Sequence, residues 1–408
     1  MRRISLVLAL CTAGCAPAAG DLVIGAIYPT GGSQGVGGIE EYRGVQLATE
    51  LANREGGVGG RRVRLHLVPT ESAEGAPGAI RTLADAGVGV VLGSYGSTIS
   101  RPAAEAAARQ DMVFWEAGAV GQMGAAAAPG DRFFRVAPTG ASLGRSAVRF
   151  VQDRLAPKLD APSDLRYAVA YVDDVYGRSV GLGAIEEIRR SGLTLAAAMP
   201  YDLASVDHDA QAARIEEAGA DVLVVAAYLD DGIGLRRAIL RRGVELTASI
   251  GTSSSYCMRE FGRALGADAV GLFASDKPAA AYVDPAAISG PARDALVWAR
   301  DTYRQRHDDD MTAPALAGFA GAWALLEHVL PAAGGDDPGA VAAAARDISL
   351  PMGALPNGSG LAFAPPGHPE PGANLRAAGV IWEWVEPNTR EVVWPPSLAT
   401  APILAVRP

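Results

Sequence analysis

Apolar residues fall in unbroken runs in the strand-like stretches of this chain, and a helical pattern follows each run. Val88 to Leu92 is the clearest case. A run without polar alternation marks a strand buried on both faces, as in a parallel sheet covered by helices. It stops at Gly93, and Ser94, Tyr95, Gly96, Ser97 and Thr98 lead into a helix with Ser100 as its expected N-cap and Pro102 in its first turn. A helix start rich in hydroxyls and free N–H groups favours a carboxylate or phosphate. The same residues also suit an ordinary strand-to-helix turn.

The alternation starts with a strand at 21–28, a glycine-rich loop and a helix over 39–53 striped by Val45, Leu47, Ala48, Leu51 and Ala52. A strand at 62–68 and a helix at 77–86 follow. Three such units predict a doubly wound parallel sheet, with ligands at the carboxyl ends of its strands. After a Pro/Asp-rich connection at 156–164 the pattern restarts, with strands at 167–172, 193–198 and 221–227, each followed by a helix. A strand at 249–255 again ends in hydroxyl residues. The fold class is therefore α/β, with two doubly wound lobes and a cleft between them. Helices over 290–306 and 313–330, a short helix near 341 and a closing hairpin at 378–394 complete the chain, with Trp382 and Trp384 as packing residues.

With 408 residues, 49% of them hydrophobic, the chain can bury two cores. A net charge of −9 and the lack of a basic stripe exclude nucleic acid as a partner. Lysine occurs only at Lys158 and Lys277, which reads as compositional bias. The N-terminus carries Arg2 and Arg3, an apolar stretch, and Thr12, Ala13, Gly14 before Cys15, the pattern of a bacterial lipoprotein signal. Residues 1–14 would be removed, Cys15 acylated as a membrane anchor, and 15–20 left as a tether. No later segment is expected to reach the roughly 20 apolar residues that span a bilayer. Cys257 would then be the one remaining thiol, with no internal disulfide.

Enzymatic chemistry finds no support. No serine sits in G-x-S-x-G, and His66, His208, His307, His328 and His368 lack metal-site spacing. Gly35 and Gly37 lack the third glycine of a dinucleotide loop, that place being Glu40. Asp173, Asp174, Asp230 and Asp231 follow strands, where carboxylates cap helices. No cofactor or metal is expected.

Gly44, Leu47, Ala48, Asn53, Gly56, Gly57, Val58, Gly60 and Arg61 resemble the NG…LA…IN..GGI.GR pattern of the leucine/isoleucine/valine-binding proteins. LGS.GSTISRP at 92–102, AGA at 117–119, R.AP at 135–138, D..YG at 173–177 and G.L.F at 360–364 extend the resemblance over the whole mature chain. It implies a type I periplasmic binding fold, whose lobes are joined by a three-segment hinge and close on a small solute for an ABC permease. The expected division is 21–137 plus 251–365 for the first lobe and 138–250 plus 366–408 for the second. A receptor of the same fold that reports to a regulator or sensor kinase is the alternative.

The resemblance also implies site residues. Ser97, flanked by Tyr95, Gly96 and Thr98, would hold the solute carboxylate, and the Ala119 carbonyl would receive an ammonium. Tyr228 and Tyr176 would cover the ligand from the second lobe. Val120 and Ser253 stand where the family pattern has a hydroxyl residue and an acid. A buried ammonium without its acid loses about 2–5 kcal/mol, which argues against an unmodified α-amino acid. Glu116, ending an apolar strand, would either contact the ligand or form a structural salt bridge with an Arg.

Overall fold

The computed structural model describes residues 20–123 and 132–404. The leader, Cys15 and the tether up to residue 19 lie outside the described residues.

Five parallel strands, β1 (Leu22–Tyr28), β2 (Val63–Pro69), β3 (Val90–Gly93), β4 (Val113–Glu116) and β5 (Phe133–Arg135), form one sheet in the order β2-β1-β3-β4-β5. Helices α1 (Gly35–Arg54), α2 (Ala76–Asp85) and α3 (Ser97–Arg109) connect the first of them. Every residue of β3 and β4 is buried, as their unbroken apolar runs require.

The second sheet has seven strands. β6 (Arg166–Val172), β7 (Thr194–Tyr201), β8 (Val222–Ala226), β9 (Ala248–Thr252) and β10 (Phe273–Asp276) are parallel, and the hairpin of β11 (Val380–Glu386) and β12 (Thr389–Trp394) adds to β10 antiparallel. Around them lie α4 (Gly140–Phe150), α5 (Val175–Arg190), α6 (His208–Glu217), α7 (Leu229–Arg242) and α8 (Arg259–Leu265).

The expected division of the chain is corrected here at two points. Residues 251–276 belong to the second lobe, because β9 pairs with β8, β10 pairs with β9, and Phe273 packs 5.1 Å from Phe150. Residues 366–375 stay with the first lobe, because Asn374 donates to Val136 O and Gly360 O while its own N–H bonds Arg135 O. The chain thus crosses between lobes near 136–139, 277–279 and 376–379.

After the second crossing, α9 (Gly290–His307), α10 (Ala313–Ala324) and α11 (Pro338–Asp347) complete the core of the first lobe. The helical run Ala313–Ala333 is, at 21 residues, apolar and long enough to cross a membrane, contrary to expectation; 89% of its most apolar window is buried in the protein, so it is a core helix. α10 lies directly on α1. A Cβ on Gly44 would fall 1.9 Å from Ala315 O, and one on Gly318 would fall 2.0 Å from Glu41 O.

Two helix starts differ from expectation. α1 begins at Gly35, within the stretch read as loop, because Gly37 and Gly38 let the helix touch Tyr95 and Pro29; a Cβ on Gly37 would meet the Tyr95 ring at 2.0 Å. α3 begins at Ser97 with Gly96 as N-cap, so Ser100 lies inside the first turn and its hydroxyl is free for another partner.

Candidate ligand-binding cleft

The carboxyl ends of β3 and β4 face those of β6, β8, β9 and β10 across the interlobe cleft. The lobes are shut on a cavity of about 10 Å³, room for one water at most. Tyr95, Gly96, Ser97, Val120, Tyr176, Tyr228 and Ser253 line it, and so do Gln34, Gly118, Ser254 and Lys277, which the sequence did not single out. Thr98, Glu116 and Ala119 lie behind this wall.

On the first-lobe side, Ser97 Oγ accepts from Gly121 N at 2.9 Å, which joins the start of α3 to the loop after β4. The hydroxyl hydrogen is left to donate. The first N–H groups of α3 have no acceptor within their own helix, so the wall is rich in donors. Behind it, Gln34 Nε2 donates to Thr98 Oγ1 at 2.8 Å, while Gln34 Oε1 is buried without a partner. Tyr95 is held at φ 72°, a left-handed conformation unusual for a bulky residue, with its ring over Gly37.

Glu116 is fully buried, and both oxygens are engaged within the first lobe. Oε2 accepts from Ser94 N at 3.1 Å and from Ser100 Oγ; Oε1 accepts from Gly118 N at 2.9 Å and Ala119 N at 2.8 Å. Burial raises its carboxyl above the usual range, and these hydrogen bonds and the Arg135 charge oppose the shift. Neither expected reading holds. Glu116 faces away from the cavity and forms no direct bond to Arg135, whose guanidinium goes to Val120 O and Gly121 O. It is a hub for the backbone of two loops. Ala119, whose N–H it holds, is likewise set back from the cavity.

The second lobe supplies an aromatic wall. Tyr176 and Tyr228 lie 5.4 Å apart, ring centre to ring centre. Tyr176 Oη bonds Thr252 Oγ1 at 2.8 Å, and Tyr228 Oη donates to Asp174 Oδ2 at 2.6 Å. Asp174 also caps α5 by accepting from Gly177 N at 2.8 Å, the role expected of it. Asp231 sits in the first turn of α7 and accepts from Tyr201 Oη; burial pushes its carboxyl up to about 6. Among the described residues no three His, Cys, Asp or Glu side chains converge as a metal site.

The unexpected part of the site lies at the second crossing. Ser253 Oγ donates to Asp276 Oδ1 at 2.7 Å. The next residue, Lys277, is 3% exposed, and its Nζ reaches across to Gly118 O at 3.1 Å, with Asp276 Oδ1 at 3.5 Å. Burial alone would lower its pKa, but the charges of Asp276 and Glu41 hold it above the ordinary value. Glu41, on α1, lies beneath Gly118: a Cβ there would fall 1.5 Å from Glu41 Oε2. Tyr28 Oη and the Tyr95 N–H are its neighbours and stabilise its charge, although neither meets Glu41 in ordinary hydrogen-bond geometry. Burial and the Glu116 charge raise its carboxyl well above the usual range, against the pull of Lys277. One sequence signal for Lys277 existed, since it is one of two lysines in an arginine-rich chain and follows directly on a strand end.

Two α/β lobes with three crossings and a shared cleft at their strand ends define a two-lobed solute-binding protein. The chain belongs to the periplasmic binding protein family, whose model matches residues 21–375. It is 26% identical over 402 residues to Leu/Ile/Val-binding protein homolog 8 of Brucella suis biovar 1 (strain 1330), covering 97% of this chain and 96% of that one. Its fold matches the leucine-binding protein LivK of Thermotoga maritima MSB8 with a TM-score of 0.76 at 17% identity, over 91% and 97% of the two chains. It also matches a solute-binding protein of an ABC transporter from R. palustris, solved with 4-hydroxybenzoate, with a TM-score of 0.72 at 16% identity over 89% and 92%. These relatives are binding proteins, and this chain is one too rather than an enzyme.

Proposed function

We propose that this protein is an extracytoplasmic solute-binding lipoprotein that takes up a small polar solute, an amino acid or a related amide or carboxylate, by lobe closure and delivers it to an ABC permease. The observation that carries the reading is the shut cavity: donors at the start of α3 on one side, the Tyr176–Tyr228 wall on the other. The first lobe would hold the solute, and rotation about the three crossings would bring the tyrosines over it. The name of the Brucella relative supports a branched-chain amino acid as the solute, while the 4-hydroxybenzoate complex supports a wider range of carboxylates for this fold. Anchoring rests on the sequence before Cys15.

The test is a thermal-shift and calorimetric screen of amino acids, amides, polyamines and aromatic acids. A true solute at a hundred times its Kd adds about 2.7 kcal/mol to folding stability. If no class raises the melting temperature, the reading fails. For the anchor, Cys15→Ser should move the protein from the membrane fraction to the soluble fraction, and an unchanged distribution would refute lipidation at that residue.

A further inference from the structure

Resting on the solute-binding reading of this cleft, we infer that its ligand is a small organic anion without an ammonium group, whose carboxylate pairs with Lys277. Charge on the cavity wall carries the inference. Among the described residues lining the cavity, Lys277 is the only charged side chain, and the remainder are hydroxyl, amide, aromatic, aliphatic or glycine. No carboxylate of the described residues lines it.

The two nearest acids are both set back. Asp276 accepts from the Ser253 hydroxyl and forms an ion pair with Lys277, and it does not line the cavity. Glu41 lies under Gly118, behind the cavity wall. An ammonium entering the cavity would therefore meet the Lys277 ammonium on the wall, while the carboxylates that balance it, Asp276 and Glu41, stand behind the described lining. A carboxylate meets the opposite charge there.

The geometry of Lys277 fits the role. An ammonium has three donors. One goes to Gly118 O at 3.1 Å and a second is directed at the ion-pair partner Asp276 Oδ1, 3.5 Å away. Donor capacity thus remains on a buried cation beside Ser97 and the start of α3, and all of these favour the same negative group. The Tyr176–Tyr228 wall opposite suits a flat or branched apolar body on that carboxylate.

The test uses the intact mature protein and matched pairs that share a carbon skeleton: leucine with 4-methyl-2-oxopentanoate, and phenylalanine with phenylpyruvate, together with benzoate, glutamine and putrescine. Calorimetry should give at least a tenfold preference for an anion over its amino acid. Lys277→Met should lower affinity for the preferred anion at least thirtyfold without changing the circular dichroism spectrum. If that variant does not fold, the matched pairs decide alone. Binding of an amino acid, glutamine or putrescine as tight as or tighter than that of the anions overturns this inference and leaves the solute-binding reading standing. So does an anion affinity unchanged in Lys277→Met. Binding of nothing in the panel overturns both.

Discussion

At the scale of single residues, two buried glutamates on the first lobe do opposite things. Glu116 has a donor for each lone pair it can offer, four in all, and binds the loops after β3 and β4 into one rigid wall. Glu116→Gln would turn an NH₂ group toward backbone N–H donors, and should cost about 3–5 kcal/mol, the range for breaking a buried charged contact. Urea unfolding measures it; a loss under 1 kcal/mol would contradict the hub role. Glu41 is held only weakly, by Tyr28, the Tyr95 backbone and the Lys277 charge, and the cost of its burial appears in the pH dependence. Its folded carboxyl, like that of Asp231, holds its proton more tightly than the unfolded chain does. Such a group favours the folded state below about pH 4 and loses that contribution as pH rises through its folded pKa, about 6 for Asp231. Asp231→Asn should therefore lose less stability than the wild type between pH 4 and 7. Melting temperatures of the two proteins across that range check this, and parallel curves would refute it. Ser97→Ala should weaken a carboxylate ligand by about 1.5–3 kcal/mol, read by calorimetry, since that hydrogen bond is charge-assisted.

At the scale of elements, local pattern and distant packing divide what could be read in advance. β3, β4, β6 and β8 were legible because a strand buried on both faces writes an unbroken apolar run. Ser97 was legible with them, as a hydroxyl just past a strand end, whereas Tyr176 and Tyr228 were marked by the family resemblance; all three line the cavity. β9 and β10 carry a weaker signature and no address: strands of five and four residues, ASIGT and FASD, do not say which sheet they will extend. Glu41 was missed for a related reason. It lies on a correctly expected helix, on a face that would be solvated if α10, some 270 residues later in the chain, did not pack over it. That pair of helices depends on absent side chains. Gly44→Ala would drive a methyl group into Ala315 O and Phe319 N, at 1.9 and 2.6 Å, and backbone cannot turn aside as a side chain can. A loss of about 1–3 kcal/mol or more follows. A Gly44→Ala protein with unaltered unfolding midpoint would show that the helices can separate freely.

At the scale of the whole molecule, the three crossings place both lobes in interleaved stretches of sequence. The first-lobe core joins residues 22–136 to residues 280–363, and the second joins 139–276 to the hairpin at 380–394. That interleaving governs the order in which the chain can fold. While it emerges from its N-terminus, α1 has its glycine face exposed and waits for α10; the second sheet lacks its last two strands until the final residues arrive. Contacts so distant in sequence slow folding and leave unfinished surfaces open to aggregation or to a holding chaperone. A fragment of residues 21–279 should show no cooperative thermal transition and should be cut rapidly by protease, although it contains ten of the twelve strands.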